Sequence, residues 1–317
     1  MARFLDLPRE LRDMVYMALL TAEHPLPSLE GASWIRRFRS VFEPQSGHTG
    51  EYGCAYSTDP PPSTCANLLR CNRQIYAEMS ATIYRARRKG LLSVKLDCIA
   101  QDESFHYFTF LAVPLVETTT NANAVIKRMP AWADGMMRRY SGNFYRRPAT
   151  LIKQLWVDIR LQGDRSFKFS RNSSAPERTS WAICAALKRI FEKGPNFADP
   201  KSAGNQTTVE ELVLNVVSPP NVPKERYLAE DYPADGIQKG VVHPRTVARE
   251  LVNVWQRIWS GDDFKGVFYQ MLLERIKTVR VCVDSDTFSK WASQCQAQAQ
   301  ILLQIGPHLR KRLHGLG

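Results

Sequence analysis

The sequence predicts an α/β fold, with α+β as the variant, and three observations lead there. Segments 152–159 (IKQLWVDI), 209–216 (VEELVLNV) and 276–283 (IKTVRVCV) superimpose without gaps. Long amphipathic stretches lie between them, and a helical stripe opens the chain at residues 4–20 (FLDLPRELRDMVYMALL).

The three segments share one pattern. Each starts with a β-branched residue and a charge, then places apolar residues at its fourth, sixth and eighth positions. Leu155, Val157 and Ile159 thus match Leu212, Leu214 and Val216, and then Val279, Val281 and Val283. Side chains along a strand alternate between faces, so this period of two describes strands with one face buried. Strands are expected near 152–160, 209–217 and 276–283. Between them, 179–194 (TSWAICAALKRIFEKG), 244–259 (PRTVARELVNVWQRIW) and 263–276 (DFKGVFYQMLLERI) read as helices. Connections of that length join parallel strands by right-handed crossovers. The segments start 57 and then 67 residues apart, so an irregular α/β layer is expected and not a regular leucine-rich horseshoe. A helix over 288–305 (FSKWASQCQAQAQILLQI) is expected to close it.

The first helix has a clear start. Pro8 suits its first position, where a missing N–H costs nothing, and Glu10 complements the helix dipole. Leu11, Met14 or Val15, Ala18 and Leu19 form one apolar face, with Arg9, Arg12 and Asp13 opposite. Residues 21–65 hold six prolines, with glycines at 47, 50 and 53 between Pro44 and Pro60, and read as a long loop partly ordered around Trp34 and Phe38. A second helix follows over 65–85, with Leu68 or Leu69, Asn72, Ile75 or Tyr76, Met79 and Ile83 along one side. Alternation at Leu92, Val94, Leu96 and Cys98, and the aromatic run 105–114, read as strands. Residues 121–141 read as helical, with a break near Pro130. The expected organisation is a helical module at 1–90, with the Pro/Gly-rich insertion at 21–65, and an α/β domain at 91–317.

Composition narrows the function. The chain has 317 residues, 44% of them hydrophobic, and a net charge of +12. No stretch approaches the ~20 apolar residues that span a bilayer, and charges interrupt the apolar runs of the N-terminus. Seven scattered cysteines without a C-x-x-C pair fit a reducing compartment, cytoplasmic or nuclear, and offer no zinc site. Basic clusters occur at 85–89, at 138–139 with 146–147, and at 310–312. They stand apart, with no nucleic-acid motif beside them, and read as solvated faces.

Phosphate-binding, nucleophile-elbow and metalloprotease motifs are absent. The six histidines are dispersed; Cys98 with His106 is one nucleophilic pairing to consider, against a buried structural thiol. Asp158, Asp284 and Asp286 fall within or just after strands, where ligands bind in α/β sheets or where carboxylates cap the next element. The P-x-x-P match within 218–223 reads as a stiff loop. No catalytic residue, cofactor or metal is assigned, and the chain is expected not to be an enzyme.

Leu7, Pro8, Glu10, Leu11, Arg12 and Tyr16, then Leu68, Leu69, Arg73, Gln74, Ile75, Tyr76 and Glu78, carry a resemblance. They resemble the two helices that open the F-box-like proteins of filamentous fungi, here interrupted between Thr21 and Cys65. The likeness covers roughly the first 85 residues, and 155–161 (LWVDIRL) looks like the strand that follows in that family. It implies a non-enzymatic subunit of an SCF-type ubiquitin ligase that binds a Skp-type adaptor and presents a protein substrate. Carried over, Leu5, Leu7, Pro8, Leu11, Val15 and Leu19 would face the adaptor. The alternatives are an F-box-derived interaction protein without adaptor binding, in which the stripe is internal core, and a basic nucleic-acid-binding protein, which ranks lower. No membrane partner is expected.

Overall fold

In the computed structural model of the chain, the residues described are 4–33, 38–40, 53–60, 66–114, 117–119, 149–164, 177–195, 206–220, 222–230, 240–261 and 264–292. The expected helix over 121–141, Trp34, and the basic clusters at 138–147 and 310–312 lie outside them.

A 3-10 turn at Phe4–Asp6 leads into α1 (Arg9–Leu20), with Pro8 one place earlier than expected, at the cap. The Pro/Gly-rich segment is more than a loop. It contributes α2 (Leu29–Ser33), β1 (Phe38–Ser40) and β2 (Cys54–Ser57). A 3-10 turn at Ala66–Arg70 precedes α3 (Arg73–Arg88), whose cap Asn72 accepts a hydrogen bond from the Ile75 N–H at 2.8 Å. The hairpin β3 (Val94–Gln101) and β4 (Phe105–Ala112) follows, then the short β5 (Glu117–Thr119). The parallel series is β6 (Ala149–Gln162), α4 (Arg178–Lys193), β7 (Gln206–Val217), α5 (Pro244–Ser260), α6 (Phe264–Tyr269), α7 (Met271–Arg275) and β8 (Ile276–Val283).

One mixed sheet results, in the order β1-β2-β4-β3-β6-β7-β8 and then β9 (Asp286–Ala292), with β5 pairing the start of β6. Strands β3, β6, β7 and β8 run parallel. The three repeated segments lie side by side with no offset: Leu155 faces Leu212, which faces Val279, and Val157, Leu214 and Val281 line up likewise. A shift of one residue would turn every one of these side chains to the opposite face, so burial of one face sets the register. These six side chains are 0% exposed. They pack with Trp181, Leu187 and Ile190 of α4 and with Val247, Leu251, Val254 and Ile258 of α5 in the main core. Both crossovers cover the same face as the strands advance, which is what connections of one hand require.

The expected closing helix is replaced at its start by β9, antiparallel to β8; residues beyond 292 lie outside those described. Asp284 and Ser285, at φ 49° and 73°, form the two-residue turn that reverses the chain. Trp291 then packs against the core and stacks edge-on against Trp259. Over residues 288–292 the expected helix thus gives way to a local hairpin.

The other face of the sheet is polar and laced together. Asp97, fully buried, receives two bonds from Arg160, at 2.6 and 2.7 Å. Burial pushes the Asp97 carboxyl up from its ordinary value, partly offset by Arg160. Arg160 also donates to the Pro27 carbonyl, Lys95 pairs with Glu23, and the His24 N–H donates to the Leu111 carbonyl. These contacts lay residues 23–27 across β3, β4 and β6 and tie the N-terminal helices to the sheet. Gly53 opens β2 at φ 81°, where a Cβ would stand 2.3 Å from the Ser104 carbonyl oxygen; its own carbonyl accepts the His106 N–H. Among the described residues no helix is long and apolar enough to cross a membrane.

His106 on β4 is 1% exposed, its Nε2 3.0 Å from the Thr179 hydroxyl of α4. Burial, with Arg178 nearby, lowers its pKa to about 3. The unfolded chain takes up this proton near pH 6.5, whereas the folded chain refuses it until about pH 3. Stability therefore falls as pH drops through that window, by up to ~1.4 kcal/mol per pH unit from this residue. Denaturant titrations from pH 7 to 4 should show a shallower decline for His106→Asn than for the unmodified chain; parallel declines would refute this.

Candidate functional site

The two N-terminal helices meet through charge as much as through apolar contact. Helix α1 buries Arg12, Tyr16 and Leu20 against α3. Arg12 is 8% exposed and Glu78 is 7% exposed. The guanidinium grips both carboxylate oxygens, Nε to Oε2 at 2.9 Å and Nη2 to Oε1 at 2.7 Å. The same carboxylate also accepts from Tyr16 at 3.1 Å and from Gln74 at 3.0 Å, and Arg9 approaches it to 3.1 Å. The remaining guanidinium nitrogen of Arg12 donates to the carbonyls of Leu5 and Leu7, holding the entry turn against the helix. Beside this clamp Asp13 accepts from Thr82 and Arg85. Burial raises the Asp13 carboxyl, but hydrogen bonds from Arg85, Arg9 and Thr82 outweigh it and hold it below the ordinary value.

A small separate core completes the pair. Tyr16, Leu20, Ile75, Met79 and Ile83 are buried together, with Phe4, Leu68, Leu69 and Leu92 packed around them. Phe4 meets the Tyr16 ring edge-on at 5.6 Å. Where the sequence left Ile75 or Tyr76, the structure buries Ile75 and leaves Tyr76 57% exposed.

The charged side of α1 therefore faces inward and the apolar side faces solvent. Leu11 is 46% exposed, Met14 67%, Val15 40% and Leu5 37%. Pro8 is exposed as well, while Leu7 and Leu19 are half-buried. Burying a large aliphatic side chain is worth ~1.5–3 kcal/mol. A buried ion pair, by contrast, often does no better for stability than an apolar pair of the same volume. Stability alone would turn α1 the other way. Of the residues singled out in the sequence, the apolar stripe emerges as a continuous surface, with Met14 as its most exposed large side chain. Arg12, Tyr16, Gln74 and Glu78 belong to the two helical motifs but act as the internal clamp. Their signal was complementary charge at 12 and 78, invisible without knowing that the helices touch.

The possibilities for chemistry resolve differently. Cys98 lies on β3 at 0% exposure, and burial, with Asp97 and Cys54 nearby, pushes its thiol well above the ordinary value. His106 Nε2 lies against the Thr179 hydroxyl and its Nδ1 has no hydrogen-bond partner among the described residues, so no hydrogen bond links it to Cys98. Cys184 is likewise buried. Asp158 accepts from Trp156 and Asn215, each at 2.7 Å, on the outward face of β6. Asp284 and Asp286 line a pocket of about 590 Å³ with Ser218, Tyr227, His243 and Arg245 at the carboxyl ends of β7 and β8. Its polar groups serve each other: Asp284 accepts from the Ser218 N–H and hydroxyl at 2.8 and 2.6 Å. His243 Nδ1 caps α5 by accepting the Arg245 N–H, and Glu230 stands 3.7–3.8 Å from both His243 and Arg245. Asp158 stays outside it. Among the described residues, no group of three His, Cys, Asp or Glu side chains could hold a metal.

No protein-family model, no curated protein and no solved structure matches this chain.

Two expected outcomes follow from this geometry. Arg12→Ala strands a buried carboxylate and should cost ~3–5 kcal/mol in denaturant unfolding, whereas Arg12→Met with Glu78→Leu should cost far less. Equal losses in the two variants would mean that charge pairing is not what joins the helices. Among Cys54, Cys71, Cys98, Cys184 and Cys282, only Cys71 is exposed. Brief iodoacetamide treatment of the folded chain, read by peptide mass mapping, should modify Cys71 and spare the other four.

Proposed function

We propose that the chain is a non-enzymatic protein-interaction subunit of the F-box type, which docks a Skp-type adaptor of a ubiquitin ligase through α1. The observation that carries this reading is the outward orientation of the apolar stripe Leu5, Pro8, Leu11, Met14 and Val15, with Leu7 and Leu19 at its borders. A helix that lays such a stripe into an apolar groove is a recurrent mode of protein recognition, read at i, i+3/4 and i+7. An exposed aliphatic stripe set around by polar surface marks a place for a partner. The clamp beneath it supports the same reading, because it fixes the rotation of α1 without spending any stripe residue on the internal core. The role of the α/β layer in this proposal is to hold a protein substrate. Its outward strand face, with Gln154, Trp156, Glu211 and Arg280, offers polar and aromatic contacts: Gln154 donates to Glu211 at 2.7 Å, and Arg280 lies 6.0 Å from the Trp156 ring centre.

The test uses the full chain and a purified Skp-type adaptor. The unmodified protein should retain the adaptor on a column, and Leu11→Asp with Val15→Asp should abolish retention. Both changes fall on exposed positions, so the unfolding free energy should move by only ~0.5 kcal/mol. Retention unchanged by the double substitution, or no retention by the unmodified chain, would overturn the proposal. Collapse of the fold in that variant would return the stripe to an internal role.

A further inference from the structure

Helix α3 presents a second face of different chemistry. Between residues 66 and 93 the chain carries six cationic side chains and a single carboxylate, Glu78. Glu78 is buried and committed to Arg12. The side of α3 turned away from α1 is therefore without negative charge. Tyr76 and Tyr84 stand on it, 57% and 63% exposed. Arg73 and Arg88 flank them, and Arg70 and Lys89 extend the charge beyond each helix end, all four exposed. Eight residues separate the two rings, ~12 Å along the axis. The side chains between them on that side, Ala77, Ser80 and Ala81, are short.

We propose that this face of α3 binds single-stranded nucleic acid, with Tyr76 and Tyr84 stacking on bases and the flanking cations taking phosphates. Two features favour this over an acidic protein segment. The exposed side of α3 itself carries no aliphatic side chain larger than alanine, whereas the exposed aliphatic stripe of this helix pair is on α1. Aromatic rings set among cations are instead the combination that holds unpaired bases, since every base offers a π-face. The site is independent of the adaptor-docking stripe, which lies on the far side of α1 from α3.

Fluorescence anisotropy with the full chain tests it, using labelled 20-nucleotide DNA and RNA strands of one sequence, the corresponding DNA duplex, and polyglutamate of matching charge. Four phosphate contacts predict a log–log salt slope of about −3 for single strands, hence on the order of 50-fold weaker binding between ~50 and ~200 mM salt. Tyr76→Ser with Tyr84→Ser should weaken single-strand binding on the order of 30-fold and leave the slope unchanged. Arg73→Gln with Arg88→Gln should flatten the slope by about 1.4. Comparison of the DNA and RNA strands identifies which sugar is preferred. Binding insensitive to the tyrosine pair, binding of polyglutamate or duplex as tight as the single strands, or an equal loss on neutralising Arg138, Arg139, Arg146 and Arg147 would each overturn the proposal.

Discussion

The ion pair between Arg12 and Glu78 is the constraint on which the N-terminal half depends. A buried guanidinium has few acceptable orientations, because all its donors need acceptors at hydrogen-bond distance. Here two go to one carboxylate and the third nitrogen goes to the carbonyls of Leu5 and Leu7. This geometry admits one rotation of α1 about its axis. That rotation decides which side chains meet α3 and which meet solvent. The pair adds little net stability over an apolar equivalent; what it contributes is orientation.

The C-terminal half is held by a different logic. Its strands rely on alternation, with one face in a continuous apolar core and the other in a polar lattice. Glu211 illustrates the second face, placed between Gln154, Arg280 and Lys290. Burial raises its carboxyl, yet the hydrogen bonds from Gln154 and Lys290 and the charge of Arg280 hold it below the ordinary value. The two halves meet where residues 23–27 cross the sheet. A single arginine, Arg160, there joins Asp97 of β3 to the Pro27 backbone.

How much of this was legible depends on the range of the forces involved. The parallel strands β6, β7 and β8 were readable down to register, because period-two burial and β-branched residues are local signals. Helices α4 and α5 were readable from their amphipathic stretches between the strands, also a local signal. Strand β2 was not, since it pairs in parallel with β4 across some fifty residues and begins within a Pro/Gly-rich tract. Strand β9 was masked by helix-forming residues downstream and by a reversal at Asp284–Ser285 that lacks glycine. The candidate site was half legible: Leu11, Val15 and their neighbours were identifiable as a stripe, while the direction it faces was not. Periodicity names a face, but only the partner of Arg12, 66 residues away, says which way it turns.

Strand β9 carries one more implication. Parallel strands added one crossover at a time have no inherent terminus, and the last would offer its unpaired backbone to any passing chain. The reversal after Val283 fills that border with an antiparallel neighbour bearing Asp286 and Lys290. Among the described residues β9 is the last strand of the sheet, and charged side chains on such an edge oppose end-to-end stacking of one molecule on the next. The hairpin thus acts as a stopper, keeping β8 from serving as a seed for polymer growth.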